Sequence, residues 1–413
     1  MKRITFLFLL WICMIPAGCA GVKVSFVSSS DYMSLRRGDI LTTGDLSAYT
    51  GAALQVVGIE KKQCDKQGAF CRQALMETIG LHGENRMSAL AELWLKEAMT
   101  LDKNFVEGGR IEEVLNAYLE TARYAYVYLF LTKRSFNKRA LEDRQTQVRD
   151  YYNYAVQKTL TTLFEYYRKN PTTEMEHQRD TVVRFGTWHI TVRNEDVRLA
   201  AQRIMPEDLI PASSLSFAGL RNQYRRDGLG AELVAVTSRR VVDRQSAEVP
   251  FSETPFPAVT AVMSFPGNSP GEVLETRDVV ITGYDPYGRE SVQLAGTEVP
   301  LAANFTSGYG LWLARSGFAA QSLLTLIGRG DVLEMPRVYL MQPYNPQRHI
   351  VIMLHGLASS PEAWINLANE VLGDETLRQN FQIWQVYYPT NAPIAFNHYE
   401  IYQAIRQTLE YFD

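Results

Sequence analysis

Residues 350–360 read "IVIMLHGLASS": five apolar positions, then His355-Gly356, then a stretch that leads into "PEAWINLANEVL" at 361–372. A short apolar run bounded by a turn reads as a strand. The spacing of Trp364, Leu367, Ala368, Val371 and Leu372 reads as a helix extending over 361–379. The order continues with a strand over 381–389 ("FQIWQVYYP"), a loop "TNAPIA" and a helix over 398–412. Just upstream, "RVYLMQPY" and "HIVIMLH" are two strands separated by the turn "NPQR". Strands that alternate with helices predict a parallel sheet with crossover helices. "IVIML" carries apolar side chains on both faces and no charge, the mark of a strand flanked by neighbours and covered by helices. Left open at an edge, such a strand would offer its N–H and C=O groups to any other chain.

Working back from this region, residues 307–328 read as a linking helix. Between about 180 and 305 lie "VVRFGTWHITV", "AELVAVTS", "AVTAVMSF", "DVVITGYD", "ESVQLA" and "EVPLAANF", short β-branched runs bounded by Gly, Pro, Asn and Asp. "DPYG" at 285–288 adds a turn signal. From 74 to 170 the period becomes helical. Leu90, Leu93, Trp94 and Ala98 share one face. Ile111, Val114, Leu115, Tyr118, Ala122, Ala125, Tyr126 and Leu129 share a second, and Val148, Tyr151, Tyr152, Ala155, Leu160, Leu163, Phe164 and Tyr167 a third. No 34-residue period runs through these helices, so the tyrosine stripes read as core and not as a tetratricopeptide array. The expected organisation is multidomain α+β and α/β: a signal segment at 1–18, a mixed segment at 19–73, a helical bundle at 74–180, a β-rich module with its linking helix at 181–330, and a partial α/β domain at 331–413.

The N-terminus points to export. Lys2 and Arg3 precede twelve mostly apolar residues, "ITFLFLLWICMI", and then "PAGCAG". This is a secretory signal. Its apolar run is shorter than the ~20 residues that span a bilayer. Ala17-Gly18-Cys19 resembles a bacterial lipobox, with Pro16 where Leu is usual; cleavage by an ordinary signal peptidase is the alternative. The resemblance implies acylation of Cys19 and, with Ala20 and Gly21 following and no Asp, a place on the outer membrane; the other outcome is a soluble periplasmic or secreted protein. Two acyl chains plus an amide-linked third anchor firmly, whereas one alone binds marginally. Cys64 and Cys71 bracket the short loop "CDKQGAFC" and read as a disulfide in an oxidising compartment. Zinc is the weaker reading, because four ligands are needed. A net charge of −3 gives no reason to expect nucleic acid. No cofactor or metal is implied.

Residues 336–413, about a fifth of the chain, resemble the opening of an α/β-hydrolase of the bacterial lipase and esterase kind. "HGLASSPEAW" falls where that family places its oxyanion turn. The resemblance implies that the Leu357 backbone N–H donates to a developing oxyanion, with His355 and Gly356 shaping the turn. A fixed N–H at that point is worth roughly 3 kcal/mol of transition-state stabilisation. It also implies an acyl-ester substrate near the membrane and a Ser–His–Asp/Glu triad.

That triad has no candidate serine here. "GNSPG" at 267–271 matches Gly-x-Ser-x-Gly, but it precedes the His-Gly strand, and "EVLETRDVVITG" after it reads as strand. Pro270 also deletes the N–H that should be the second oxyanion donor. Ser269 is therefore a loop serine. "GLHGEN" at 80–85 repeats Leu-His-Gly without an apolar strand before it. Of the other histidines, His82, His177, His189, His349 and His398, none stands at a recognisable spacing; His398 reads as a helix-start residue. The expectation is that these 413 residues hold the N-terminal part of an exported hydrolase and are inactive alone. The competing reading is a non-enzymatic lipoprotein whose helical and β modules bind a partner. Oligomeric state is not legible.

Overall fold

The structure, a computed structural model, describes residues 28–103, 111–170, 180–195, 197, 206–237, 251–254, 256–317, 335–357 and 359–413. The expected signal segment, Cys19 and His177 lie outside them. Among the described residues no helix is long and apolar enough to cross a membrane.

The first half is helical: α1 (Ser29–Arg37), α2 (Ala48–Val56), a 3-10 turn at Lys61–Asp65, α3 (Gly68–Glu77), α4 (Gly83–Lys103), α5 (Ile111–Phe130) and α6 (Asp143–Lys169). Ser28 and Ser47 cap α1 and α2 by accepting from the Asp31 and Thr50 amides. The Sγ atoms of Cys64 and Cys71 are bonded at 2.06 Å, tying the 3-10 turn to the first turn of α3. Gly68 opens that helix and does not serve as the loop's turn. Both cysteines are buried, so the bond closes a loop in the core. Replacing both with serine is expected to cost about 2 kcal/mol, the loop-closure entropy of so short a segment. A thermal melt with and without reductant checks it: reductant lowers the Tm of the parent and leaves the double variant unmoved.

The helical stripes read from the sequence face inward. Leu90, Ala98, Leu115, Tyr118, Val148, Tyr151 and Tyr152 are buried. Helix α5 goes further, being buried on nearly every side from Val114 to Leu129. A helix surrounded in this way lies between packing layers. Its second layer is a six-stranded sheet.

That sheet comprises β1 (Asp180–Phe185), β2 (Trp188–Asn194), β3 (Asp208–Pro211), β5 (Ala231–Val236), β7 (Ala258–Ser264) and β8 (Asp278–Tyr284), in the order β1-β2-β8-β7-β5-β3. Among the described residues of this sheet, only β2 and β8 pair in parallel. A two-residue strand β4 (Arg225–Arg226) pairs with β11 (Ala303–Asn304), and β9 (Ser291–Leu294) with β10 (Thr297–Pro300). The segment after Ser269, expected as strand throughout, first forms the short helix α7 (Pro270–Glu275), and β8 begins only at Asp278.

Helices and sheet pack against each other across residue 180. One continuous core runs from Leu90, Tyr118 and Tyr151 through Trp188 and Ile190 to Met263 and Ile281. Polar pins cross it. The Tyr152 hydroxyl accepts from the Met263 amide at 2.8 Å and donates to the carbonyl of the same residue, fixing α6 to β7. Trp188 has the guanidinium of Arg123 and that of Arg277 each 5.1 Å from its ring. Both arginines bond Glu120, which is buried on α5.

The last region holds α8 (Ser307–Ser316), β12 (Arg337–Leu340), β13 (His349–Leu354), α9 (Ile365–Gly373), α10 (Glu375–Asn380), β14 (Phe381–Tyr387) and α11 (Ile394–Phe412). Helix α8 ends at Ser316, where Gly317 takes φ +72 and caps it; residues 318–328 of the expected helix lie outside the described ones. The helix expected over 361–379 is three pieces: a 3-10 turn at Pro361–Trp364, α9, and α10 restarted by the Asp374 cap. The sheet order is β13-β14-β12-β6, with β6 (Phe251–Glu253) contributed from the middle of the chain. It is mixed, not parallel as expected. β13–β14 and β12–β6 are parallel, whereas β12–β14 is antiparallel. The physical reason is the connection: residues 341–348 are fewer than the roughly one dozen that a parallel crossover needs. Among the described residues, strand β13 stands at the end of the sheet.

Candidate functional site

The site lies where β13 and β14 end. Their parallel register pairs Leu354 with Val386, so the residues that leave the two strands emerge side by side. The carboxyl ends of parallel strands are where open α/β sheets hold their ligands. Here the emerging residues are His355-Gly356-Leu357 from β13 and Tyr388-Pro389 from β14.

His355 is buried, and its ring stacks on Tyr388 with centroids 4.3 Å apart. The Tyr388 amide donates to Nε2 at 3.3 Å, so Nε2 carries the lone pair and the proton sits on Nδ1. That Nδ1–H faces the Gly356 carbonyl at 3.2 Å. The Tyr388 hydroxyl closes the arrangement by donating to the His355 carbonyl. Burial pulls the imidazole below its ordinary range, against the pull of the Gly356 carbonyl and the Glu362 charge, so the ring is neutral at neutral pH. Both ring nitrogens are engaged with backbone. His355 is thus a fastener of the turn and does not act as a base.

The rest of the turn is open. Leu357 is 81% exposed, and among the described residues no acceptor takes its amide. Gly356, expected to shape the turn, has an ordinary φ and no atom within 4 Å of where a Cβ would stand. The space a side chain would fill there is free. The Trp364 indole donates to the Leu354 carbonyl at 3.0 Å, holding the following 3-10 turn against the strand end. Ile352 and Leu354 are also exposed, on one face of β13.

A serine, a histidine and a carboxylate do come together here, but not as a relay. Ser360 donates directly to Glu362, while His355 is spent on backbone. Ser269 stands elsewhere: its Oγ accepts from the Glu272 amide as the cap of α7, between β7 and β8, in the other sheet. His398 is exposed on α11. His82 directly precedes α4, which starts at Gly83 with no polar spacer, as expected of a helix start and not of a strand end. Among the described residues no three His, Cys, Asp or Glu side chains are grouped to hold a metal ion.

Tyr388 was not among the residues singled out from sequence, although a signal for it existed. Two parallel strands with aligned ends bring the residues after them together, and "VYYP" spans the end of β14 as "LHGL" spans the end of β13. Tyr309 is a second such residue. It lies beneath the sheet, where Gln385 of β14 donates to its hydroxyl at 2.9 Å.

No known family model, no curated protein and no solved structure matches this chain.

Proposed function

We propose that residues 335–413 are the oxyanion-turn portion of an acyl-ester hydrolase of the α/β-hydrolase kind, exported and held at the outer membrane by an acylated Cys19, with its nucleophile supplied by polypeptide outside the described residues. The observation that carries this reading is the His-Gly turn itself. It stands at the carboxyl end of a parallel strand pair, is fastened through His355 by Tyr388, and leaves the Leu357 amide without an acceptor. A prefixed, unpaired N–H stabilises a developing negative oxygen without reorganisation at the moment of reaction. The open outer edge of β13 lies on the side where the resemblance puts the nucleophile strand. The apolar rim of Ile352, Leu354 and Leu357 suits an acyl chain.

The purified 413-residue chain is expected to leave a p-nitrophenyl ester intact and to take no label from a serine-directed fluorophosphonate. The native product from the envelope is expected to be labelled on a serine outside these residues. In that product, Leu357→Pro deletes the donor and lowers kcat by about 10²–10³. Label on a serine within the described residues, or a native product that takes none, overturns the proposal.

A further inference from the structure

Helices α4, α5 and α6 run alternately up and down, and this places three chain segments at one end of the bundle. The bonds there show it directly. Arg134, in the loop between α5 and α6, bonds Glu84 at the start of α4 at 2.6 Å and also Glu142 just before α6. Arg36, at the end of α1, bonds Asp143 at 2.5 Å, bringing the first described helix to the same end. The opposite end is marked by Asp102, which takes bonds from Tyr118 and Lys158.

This end has a distinctive surface. Ile79, on the approach to α4, and Leu141, on the approach to α6, are both 100% exposed, more than any other large apolar residue described. Around them stand Arg36, Arg37, Lys133, Arg134 and Lys138, all exposed. The carboxylates Glu84, Glu142 and Asp143 are already occupied by Arg134, Arg36 and Arg37. Lys133 and Lys138 have no carboxylate partner among the described residues and leave the face positive in a chain whose net charge is −3.

We infer that this end of the bundle docks on an anionic lipid surface, with Ile79 and Leu141 entering the headgroup boundary and Lys133 and Lys138 facing lipid phosphates. Apolar tips ringed by cations are what an interfacial site needs, since burial and headgroup attraction add. The chain's path fits. Cys19 precedes Ser28 by nine residues, which extended reach at most about 30 Å, so a lipid at Cys19 keeps α1 and the bundle end it adjoins near the bilayer. The inference rests on the anchoring part of the proposed function and adds an orientation to it: the molecule stands on its bundle end.

The test uses the full chain on vesicles of three parts phosphatidylethanolamine to one of phosphatidylglycerol. Ile79→Trp and Leu141→Trp are compared with Val182→Trp, a site exposed on β1, by quenching with brominated acyl chains after subtraction of the parent signal. The new indoles at 79 and 141 are expected to be quenched at least twofold more than that at 182. The difference should shrink by about half or more when Lys133→Glu and Lys138→Glu are added, or when phosphatidylcholine replaces the anionic lipid. Flotation of the same samples reads anchoring separately. A chain that floats while all three indoles are quenched alike overturns the docking and leaves the anchor standing. A chain that does not float overturns both.

Discussion

Replacing Glu92 with alanine is expected to cost the fold roughly 3–5 kcal/mol, the penalty for leaving a buried guanidinium without its anion. Glu92 lies on α4 with none of its surface exposed, and Arg144 of α6 meets its Oε2 at 3.2 Å. Three other groups converge on the same carboxylate: the Ser47 amide at 2.8 Å, the Ser47 hydroxyl at 2.6 Å and the Thr50 hydroxyl at 2.5 Å. The Ile40 amide adds a longer bond at 3.3 Å. One carboxylate therefore fastens the segment from Ile40 to Thr50 onto two helices. Burial alone would push this carboxyl up; the charge of Arg144 and the bonds from Ser47 and Thr50 outweigh it and hold the group below the ordinary range. A folded-state pKa below the unfolded one gives stability that is present above the unfolded value of about 4.3 and lost as pH falls through the folded value. Denaturant titrations at pH 7 and at progressively lower pH check both statements: the parent loses stability on acidification, and Glu92→Ala loses less because its deficit is already present at pH 7. Pairing Glu92→Leu with Arg144→Met removes both charges yet is expected to recover only part of the loss. The Ile40 and Ser47 amides remain buried without acceptors, at about 1–3 kcal/mol each. Full recovery in the double variant would show that the ion pair, and not the backbone fastening, carries the effect.

How legible this was depends on whether the controlling force is periodic along the chain. The three helices of the bundle repeat apolar residues every three or four positions, and Leu90, Leu115, Val148 and their neighbours are buried as that period requires. The run "VVRFGTWHITV", read as a single stretch, is instead two antiparallel strands, because Gly186 takes φ +56 in a turn between them. What the period does not carry is the partner of each face. Nothing local in "VVRFGTWHITV" says that Trp188 would be gripped by arginines of α5 and of the segment before β8. Bundle and sheet consequently read as two modules, although they share one core. Phe251–Glu253 is the same failure in miniature: three residues within a β-rich stretch join the sheet that carries the His-Gly turn, because a free edge was available at β12. At the candidate site the sequence located the turn at 355–357 but not its fastening. The bond from Tyr388 to His355 is a consequence of register, and register belongs to two strands together.

The second large effect is expected at Gly373, the last residue of α9. Asn222 and Tyr224 lie across this helix as the joint between the six-stranded sheet and the unit bearing the turn. The Tyr224 hydroxyl bonds Glu370, the Asn369 side chain donates to the Asn222 carbonyl at 2.9 Å, and the Arg221 amide donates to Asn366 at 3.1 Å. Thr306 completes it, accepting from the Tyr224 amide at 2.9 Å and donating to Asn369 at 2.8 Å. The Tyr224 ring rests directly on Gly373, so that a Cβ there would overlap its Cγ and Cδ2. Those atoms are the base of the ring and have no free end to swing aside. Gly373→Ala must therefore lift Tyr224 from the helix and take its bond to Glu370 with it. Overpacking of this kind costs about 1–3 kcal/mol, and the lost contacts bring the expected total to about 3 kcal/mol. The loss is directional. The core shared by bundle and sheet, the disulfide and the Glu92 fastening are untouched, so hydrogen exchange should quicken in α9, β13 and β14 while α4 and α6 keep their protection. The companion Tyr224→Gly removes the ring together with its Cβ, which would itself stand 2.6 Å from the new methyl, and in that background Gly373→Ala should be nearly neutral. Equal cost of Gly373→Ala with and without the tyrosine ring would mean that the glycine serves the helix end and not the joint. The turn at 355–357 would then owe its orientation to the sheet alone.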